Sequence, residues 1–347
     1  MDTDAATAPT DPEARRGARR SRAVRLLLTV VCVLLVAEGT VRALESRLPP
    51  APLWDTDEYP QKIEQMDALA AAGGAGTVLL GSSVMDVSVD PAALAPVDGR
   101  PAYNAGLIGA TPFIVDIWSR YLVELTLQPS VVVIAVSSRD VNINGIGLES
   151  SDGRFLDAPA VKDLLGDQTL FDEVEWALSQ GSALVRNRLL LRRPLESIFG
   201  YDAPDRNATE ISPGGMETHL LATNYRDDEV VRDFFRREPL RSFEISAKQV
   251  DALRRLATRL RENGARVVIL DVPVTEDYIE LHPQGAADYD EYVWVLAELA
   301  GEVGAELVRP GVWQPSLFSD PLHLNGAGVE RLSAELDTYL TAAPPVP

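Results

Sequence analysis

Six consecutive apolar residues, Val131 to Val136, constrain this chain more than any other feature. The run is too short for a core helix and lacks the alternation of a strand with one face in water. It reads as a strand covered on both faces, the mark of a parallel sheet wrapped by helices. Val267 to Leu270, inside the candidate strand Arg266 to Asp271, has the same character, and Thr77 to Leu80 and Ala305 to Val308 add two shorter strands. Amphipathic helical stretches lie at 60–72, 113–127, 246–263, 286–303 and 326–342. Asn263-Gly264 supplies a C-cap signal for the third of these, and Asn325 an N-cap for the last. The alternation of strands and helices predicts an α/β class with a parallel sheet.

Residues 145–245 break this rhythm. Helical pieces at about 158–166 and 169–195 precede a Gly/Pro/Asn-rich stretch, Tyr201 to Met216, with no strand run. This is expected to be an insertion over the carboxyl edge of the sheet, where open α/β sheets bind ligands.

The amino terminus carries a second strong signal. Arg15, Arg16, Arg19, Arg20, Arg22 and Arg25 precede the apolar stretch Leu26 to Ala37. Positive charge before an apolar segment keeps the start of a chain cytoplasmic and sends the rest across the membrane. The expected organisation is a disordered cytoplasmic tail at 1–22, a signal anchor at 23–44, a Pro-rich linker at 45–59 and a folded domain at 60–343. A cleaved signal peptide, giving a secreted domain, is the alternative.

Charge and composition remove several function classes. The first 50 residues hold eight Arg against six Asp and Glu, or +2; the whole chain is −20, so the remainder sums to −22. An acidic body of this kind repels nucleic acid, whose phosphates need a basic face. One cysteine, Cys32, and three histidines, His219, His282 and His323, leave no disulfide framework and no imidazole-rich metal site. No metal and no cofactor is expected.

Four short blocks carry candidate chemistry. Gly81-Ser82-Ser83 follows the first strand, so its serines project at the open edge of the sheet. A serine hydroxyl is a weak nucleophile without a base beside it. Asp320-Pro321-Leu322-His323 stands before the last helix and offers that base, with a carboxylate to fix the imidazole tautomer. His219 and His282 are expected at the surface. Tyr103-Asn104-Ala105-Gly106 can present a backbone N–H to a developing oxyanion. Ser137-Ser138-Arg139-Asp140-Val141-Asn142 follows the strongest strand and projects polar side chains at the same edge.

Together, in this order, the blocks resemble the SGNH/GDSL hydrolase superfamily over about residues 75–340, leaving out the insertion. The resemblance implies a flavodoxin-like three-layer sandwich of about five parallel strands. It makes Ser83 the nucleophile, with its own N–H as an oxyanion donor, Gly106 a second backbone donor, His323 the base and Asp320 its orienting acid. Two blocks depart from the family pattern. Ser82 stands where the first block has Asp, and Arg139 where the third has the oxyanion Asn. The Arg139 guanidinium or the Asn142 amide is left to take that Asn's place.

A Gly-Ser-Ser block behind an anchor is similar to envelope-associated members that add or remove acyl groups on exported polysaccharides. The implied activity is that of a serine esterase or O-acyltransferase on an acylated cell-envelope glycan or other ester. The implied partners are that substrate, the membrane through the amino-terminal helix, and a membrane acyltransferase. The alternative is a non-catalytic module of the same fold that binds a glycan or partners such an acyltransferase.

Overall fold

The computed structural model describes residues 12–47, 53–54, 56–145, 148–166, 178–179, 181–188, 191, 210–226 and 228–342. The chain divides into two compact units, residues 1–53 with 166–205, and residues 54–165 with 206–347. The described residues from 210 to 245, expected within the insertion, therefore group with the sheet.

In the first unit, α1 spans Pro12–Leu44. It begins inside the segment expected to be disordered: Pro12 suits a first helical turn, and Glu13, Ala14 and the Arg and Ala residues around Gly17 are good helix formers. The helical stretch Arg22–Arg47, which runs past the end of α1 through the turn Glu45–Arg47, contains an 18-residue window of mean hydropathy 2.2 and is long and apolar enough to cross a membrane. Glu38, the acid in that stretch, receives hydrogen bonds from Ser182 Oγ at 2.8 Å and from the N–H groups of Ala183 and Leu184 at 2.8 and 3.0 Å. Those N–H groups belong to the first turn of a short helix, Ala183–Arg186, and have no partner within it.

The second unit is built on five parallel strands: β1 (Thr77–Leu80), β2 (Ala102–Asn104), β3 (Val131–Val136), β4 (Arg266–Asp271) and β5 (Glu306–Val308). Their spatial order is β2-β1-β3-β4-β5. Every residue of β1 and β3 is buried, as their unbroken apolar sequence requires. β2, at the edge, is the one strand outside the four that the sequence predicts. Three residues alternating Ala, Tyr and Asn leave no periodic signal, and pairing with Thr77–Leu79 defines them as a strand.

The helices follow the sequence closely. α2 spans Glu58–Ala71 and α3 is the single turn Ser83–Asp86. The stretch 112–127 is α4 (Pro112–Trp118) and α5 (Glu124–Leu127), joined through a π-helical turn. α6 (Ala247–Glu262) starts at the Ser246 N-cap, and α7 (Ala286–Val303) and α8 (Gly326–Ala342) follow. Right-handed crossovers place α4 with α5, α6 and α7 on one face of the sheet. α8 lies on the other, giving three layers around a single core.

The strand order reverses beside β1, since the chain steps to one side to reach β2 and to the other to reach β3. Side chains leaving the carboxyl ends of β1 and β3 then face one crevice with no connection crossing it. Both the Gly81-Ser82-Ser83 block and the Ser137–Asn142 block sit there.

Candidate active site

Gly81 follows β1 with φ +155°, and a Cβ there would stand 2.8 Å from the Ala135 carbonyl oxygen and 2.8 Å from Met85 Cβ. Only glycine lets the chain pass β3 so closely and turn into α3. Ser83 is the first residue of α3, so its N–H belongs to the set that a helix leaves unpaired. Its side chain is held at the surface of the crevice, with 8% of the residue exposed.

The loop before α8 brings the base. Asn325 accepts the N–H groups of Ala327 and Gly328 at 3.1 and 3.2 Å and so caps the helix. Its amide donates to the carbonyls of Ser316 and Phe318, both at 3.0 Å. The His323 carbonyl accepts from the Ser319 N–H at 2.8 Å, and the Pro321 carbonyl accepts from Thr275 Oγ1 at 2.9 Å. A short loop pinned at four points holds its side chains in one arrangement.

In that arrangement Ser83 Oγ is 2.9 Å from His323 Nε2, and His323 Nδ1 is 2.8 Å from Asp320 Oδ2. Asp320 Oδ1 accepts the N–H groups of Leu322 and His323, both at 2.8 Å. Burial works against the Asp320 charge, but the imidazole and these two N–H groups outweigh it and hold the carboxyl below its ordinary range. An ionised Asp320 keeps the proton on Nδ1 and leaves the Nε2 lone pair facing Ser83. The arrangement can remove a proton from a serine hydroxyl.

The expected oxyanion donors fare differently. The Gly106 N–H is occupied: it donates to Asn104 Oδ1 at 3.0 Å. Gly106 is a glycine for packing reasons, since a Cβ would lie 2.8 Å from the Asp86 nitrogen. Gly106→Ala is expected to lower stability by about 1–3 kcal/mol through this overlap, measurable as a drop in melting temperature. The Asn142 amide is occupied as well. Its Nδ2 donates to the carbonyls of Pro239 and Arg241, and its Oδ1 accepts the N–H groups of Asn144 and Glu244, so the fully buried amide braces the 239–244 segment. Arg139 lies beside Asp140, Nε to Oδ1 3.8 Å, and among the described residues its Nε has no hydrogen-bond partner.

Two further histidine expectations are resolved. His219 is half-exposed and pairs through Nδ1 with Glu217 Oε1 at 2.8 Å. His282 is buried rather than at the surface, because its ring fills a nest of Tyr278, Phe243 and Tyr289. Its Nε2 meets Ser138 Oγ at 2.9 Å, and its Nδ1 lies 3.1 Å from the Tyr278 carbonyl. Burial pushes this imidazole down, towards its neutral form. Ser138 and His282 lie 144 residues apart on different segments, so no local pattern signals the pairing.

Asn104 has a structural role that its sequence block does not announce. Its Nδ2 donates to the carbonyls of Met85 and Val89, both at 3.0 Å, and so ties β2 to the turn that carries Ser83. An Asn at a strand end, one step from a glycine, is the signal that could have found it.

Among the described residues no group of His, Cys, Asp or Glu is arranged to hold a metal ion. No protein-family model matches the chain, and no curated protein matches it. Among solved structures, a catalytic mutant of an acetylxylan esterase from Geobacillus stearothermophilus superimposes with a TM-score of 0.37 at 13% identity, covering 79% of this chain and 98% of that one. A family two carbohydrate esterase from Clostridium thermocellum, in complex with cellohexaose, gives 0.34 at 11% identity over 78% of this chain and 65% of that one. An acetyl xylan esterase from Butyrivibrio proteoclasticus gives 0.29 at 11% identity over 77% and 63%.

Proposed function

We propose that the chain is a membrane-anchored serine esterase or O-acyltransferase that acts on an acylated cell-envelope glycan through an acyl-Ser83 intermediate. The observation that carries this reading is the hydrogen-bonded series Ser83 Oγ, His323, Asp320, with links of 2.9 and 2.8 Å. In the first step Ser83 Oγ attacks the ester carbonyl while His323 Nε2 takes its proton. The tetrahedral oxyanion gathers at the Ser83 N–H. Collapse expels the alcohol, protonated by His323, and leaves the acyl group on Oγ. Water or a glycan hydroxyl then attacks, again with His323 as base, and Ser83 is regenerated.

Each oxyanion donor is worth about 10²–10³ in rate. With the Gly106 and Asn142 donors committed elsewhere, the Ser83 N–H stands with little help, and water alone is a poor acceptor. A bound glycan hydroxyl, held close to the acyl group, gains from proximity what the hole does not supply. The acylated glycan and the envelope are inferred from the anchor and from the family resemblance of the Gly-Ser-Ser block. The same shortage of donors favours the second reading, a non-catalytic module that binds a glycan.

The test uses detergent-solubilised full chain incubated with p-nitrophenyl acetate, acid-quenched and digested. An acetylated peptide containing Ser83 supports the proposal. Turnover with the acyl group on another residue refutes it, and no turnover with tight glycan binding favours the module. The anchor has its own test: removal of residues 1–47 is expected to shift the protein from the detergent-extracted membrane fraction into the soluble fraction.

A further inference from the structure

Behind the Ser83 turn lies a buried charged cluster that none of these chemical steps uses. Lys62, on α2, is fully buried. An ammonium has three N–H donors, and this one meets three acceptors: Asp86 Oδ1 at 2.5 Å, the Asn104 carbonyl at 3.4 Å and the Gly106 carbonyl. Glu58, one turn earlier on α2, lies 3.5 Å from the same nitrogen. Its carboxyl accepts the Ile108 N–H at 3.1 Å. Asp86 is the last residue of α3, and Gly106 and Ile108 belong to the loop after β2. The cluster therefore grips both the turn that carries Ser83 and the loop packed against it.

Moving an ammonium out of water is strongly unfavourable, and an apolar side chain of similar volume would fill the site without that cost. Packing alone does not account for a lysine here. We propose that Lys62 is a positioning residue whose ammonium, by joining Asp86 to the Gly106 carbonyl, fixes the Ser83 hydroxyl and N–H in the orientation that acyl transfer requires. The proposal rests on the reading of Ser83 as nucleophile.

The ionisable groups around Lys62 give the clamp a pH dependence. Glu58 and Asp86 face it directly. Glu217 is buried against Asp86, its N–H donating to the Asp86 carbonyl at 3.2 Å, and His219 is bound to Glu217. The Tyr103 hydroxyl donates to the Lys62 carbonyl at 3.2 Å. Burial, with the Asp86 charge beside it, pushes the Glu58 carboxyl up to about 8. Burial likewise raises Asp86 to about 6, although Lys62 pulls it down. Between these values the cluster holds a Lys62–Asp86 ion pair beside a neutral Glu58. As pH climbs past about 8, the new Glu58 charge competes for Lys62 and the alignment of Ser83 loosens. An acid whose folded value lies above its unfolded one binds more protons folded than unfolded, so the stability Glu58 contributes is greatest at low pH and is lost as pH rises through about 8.

The experiment compares detergent-solubilised full-length wild type, Lys62→Met and Glu58→Gln. Rates of p-nitrophenyl acetate hydrolysis across pH are normalised to the sites titrated by a fluorophosphonate. Per titrated site, Lys62→Met is expected to lower kcat by about 10–100-fold, with KM changed by less than about twofold. Glu58→Gln is expected to remove the fall in kcat near pH 8. Wild-type kcat in a folded Lys62→Met protein, or a Glu58→Gln profile that superimposes on wild type, overturns the proposal. Should Lys62→Met not fold, the Glu58→Gln profile decides. A wild type that neither hydrolyses nor labels overturns the nucleophile reading itself, an outcome distinct from an active wild type with unaffected variants.

Discussion

Ser83→Ala is expected to abolish fluorophosphonate labelling and to lower ester hydrolysis by at least about 10³-fold, because removing a nucleophile leaves only binding and whatever the oxyanion donor contributes. The prediction is sharp because the substitution is structurally mild. Ser83 Oγ has one hydrogen bond, to His323 Nε2, and its loss leaves a ring nitrogen at a partly exposed position that water can satisfy. The turn itself is held by backbone bonds, Met85 and Asp86 N–H to the Ser82 carbonyl at 2.9 and 3.1 Å, which alanine keeps. The melting temperature should stay near that of wild type. Labelling that persisted in a folded Ser83→Ala protein would place the reactive residue elsewhere and end the acyl-Ser83 reading.

Asp320→Asn is expected to cost about 10⁴-fold in kcat, the scale associated with forcing a catalytic imidazole into the wrong tautomer. The geometry explains why the loop should survive the change. An asparagine can keep its oxygen in the place of Oδ1, accepting the N–H groups of Leu322 and His323. Its NH₂ then falls where Oδ2 was, 2.8 Å from His323 Nδ1. Two donors cannot face each other, so Nδ1 must give up its proton and Nε2 must carry it towards Ser83. That imidazole cannot act as base. The charge also bears on acid stability: Asp320 is held below its ordinary range, so its contribution is present at neutral pH and is lost as pH falls through the folded value. Wild type should lose more melting temperature than Asp320→Asn between neutral pH and pH 3, and equal losses would refute the linkage.

The fold was legible because its signals are local. Val131–Val136 could hardly be anything but a covered strand, the long helices of the sheet unit show their period, and Asn263-Gly264 and Asn325 mark the end of α6 and the start of α8. β2 was harder, since three residues carry no period and their pairing partner supplies the evidence. The meeting of Ser83, His323 and Asp320 had local signals: Asp320 and His323 share one loop, and Ser83 follows a buried strand. What the sequence could not show was who occupies each donor. Whether the Gly106 N–H is free depends on the rotamer of Asn104, two residues away. Whether Asn142 faces the crevice depends on Pro239 and Arg241, which close on it from a distant segment. The burial of His282 depends likewise on rings from several elements. Lys62 illustrates the same limit: on α2 it occupies an ordinary helical position, and only the tertiary structure makes it a buried clamp.

The hydroxyl and the imidazole are 240 residues apart along the chain, and this has a consequence for biosynthesis. Translation at about 5–20 residues per second delivers the serine roughly ten seconds to a minute before the histidine exists. If Ser83 is the nucleophile proposed above, a nascent chain carries a serine that nothing activates until His323 has been added. Synthesis of the segment that carries His323 would then be the event that activates the serine.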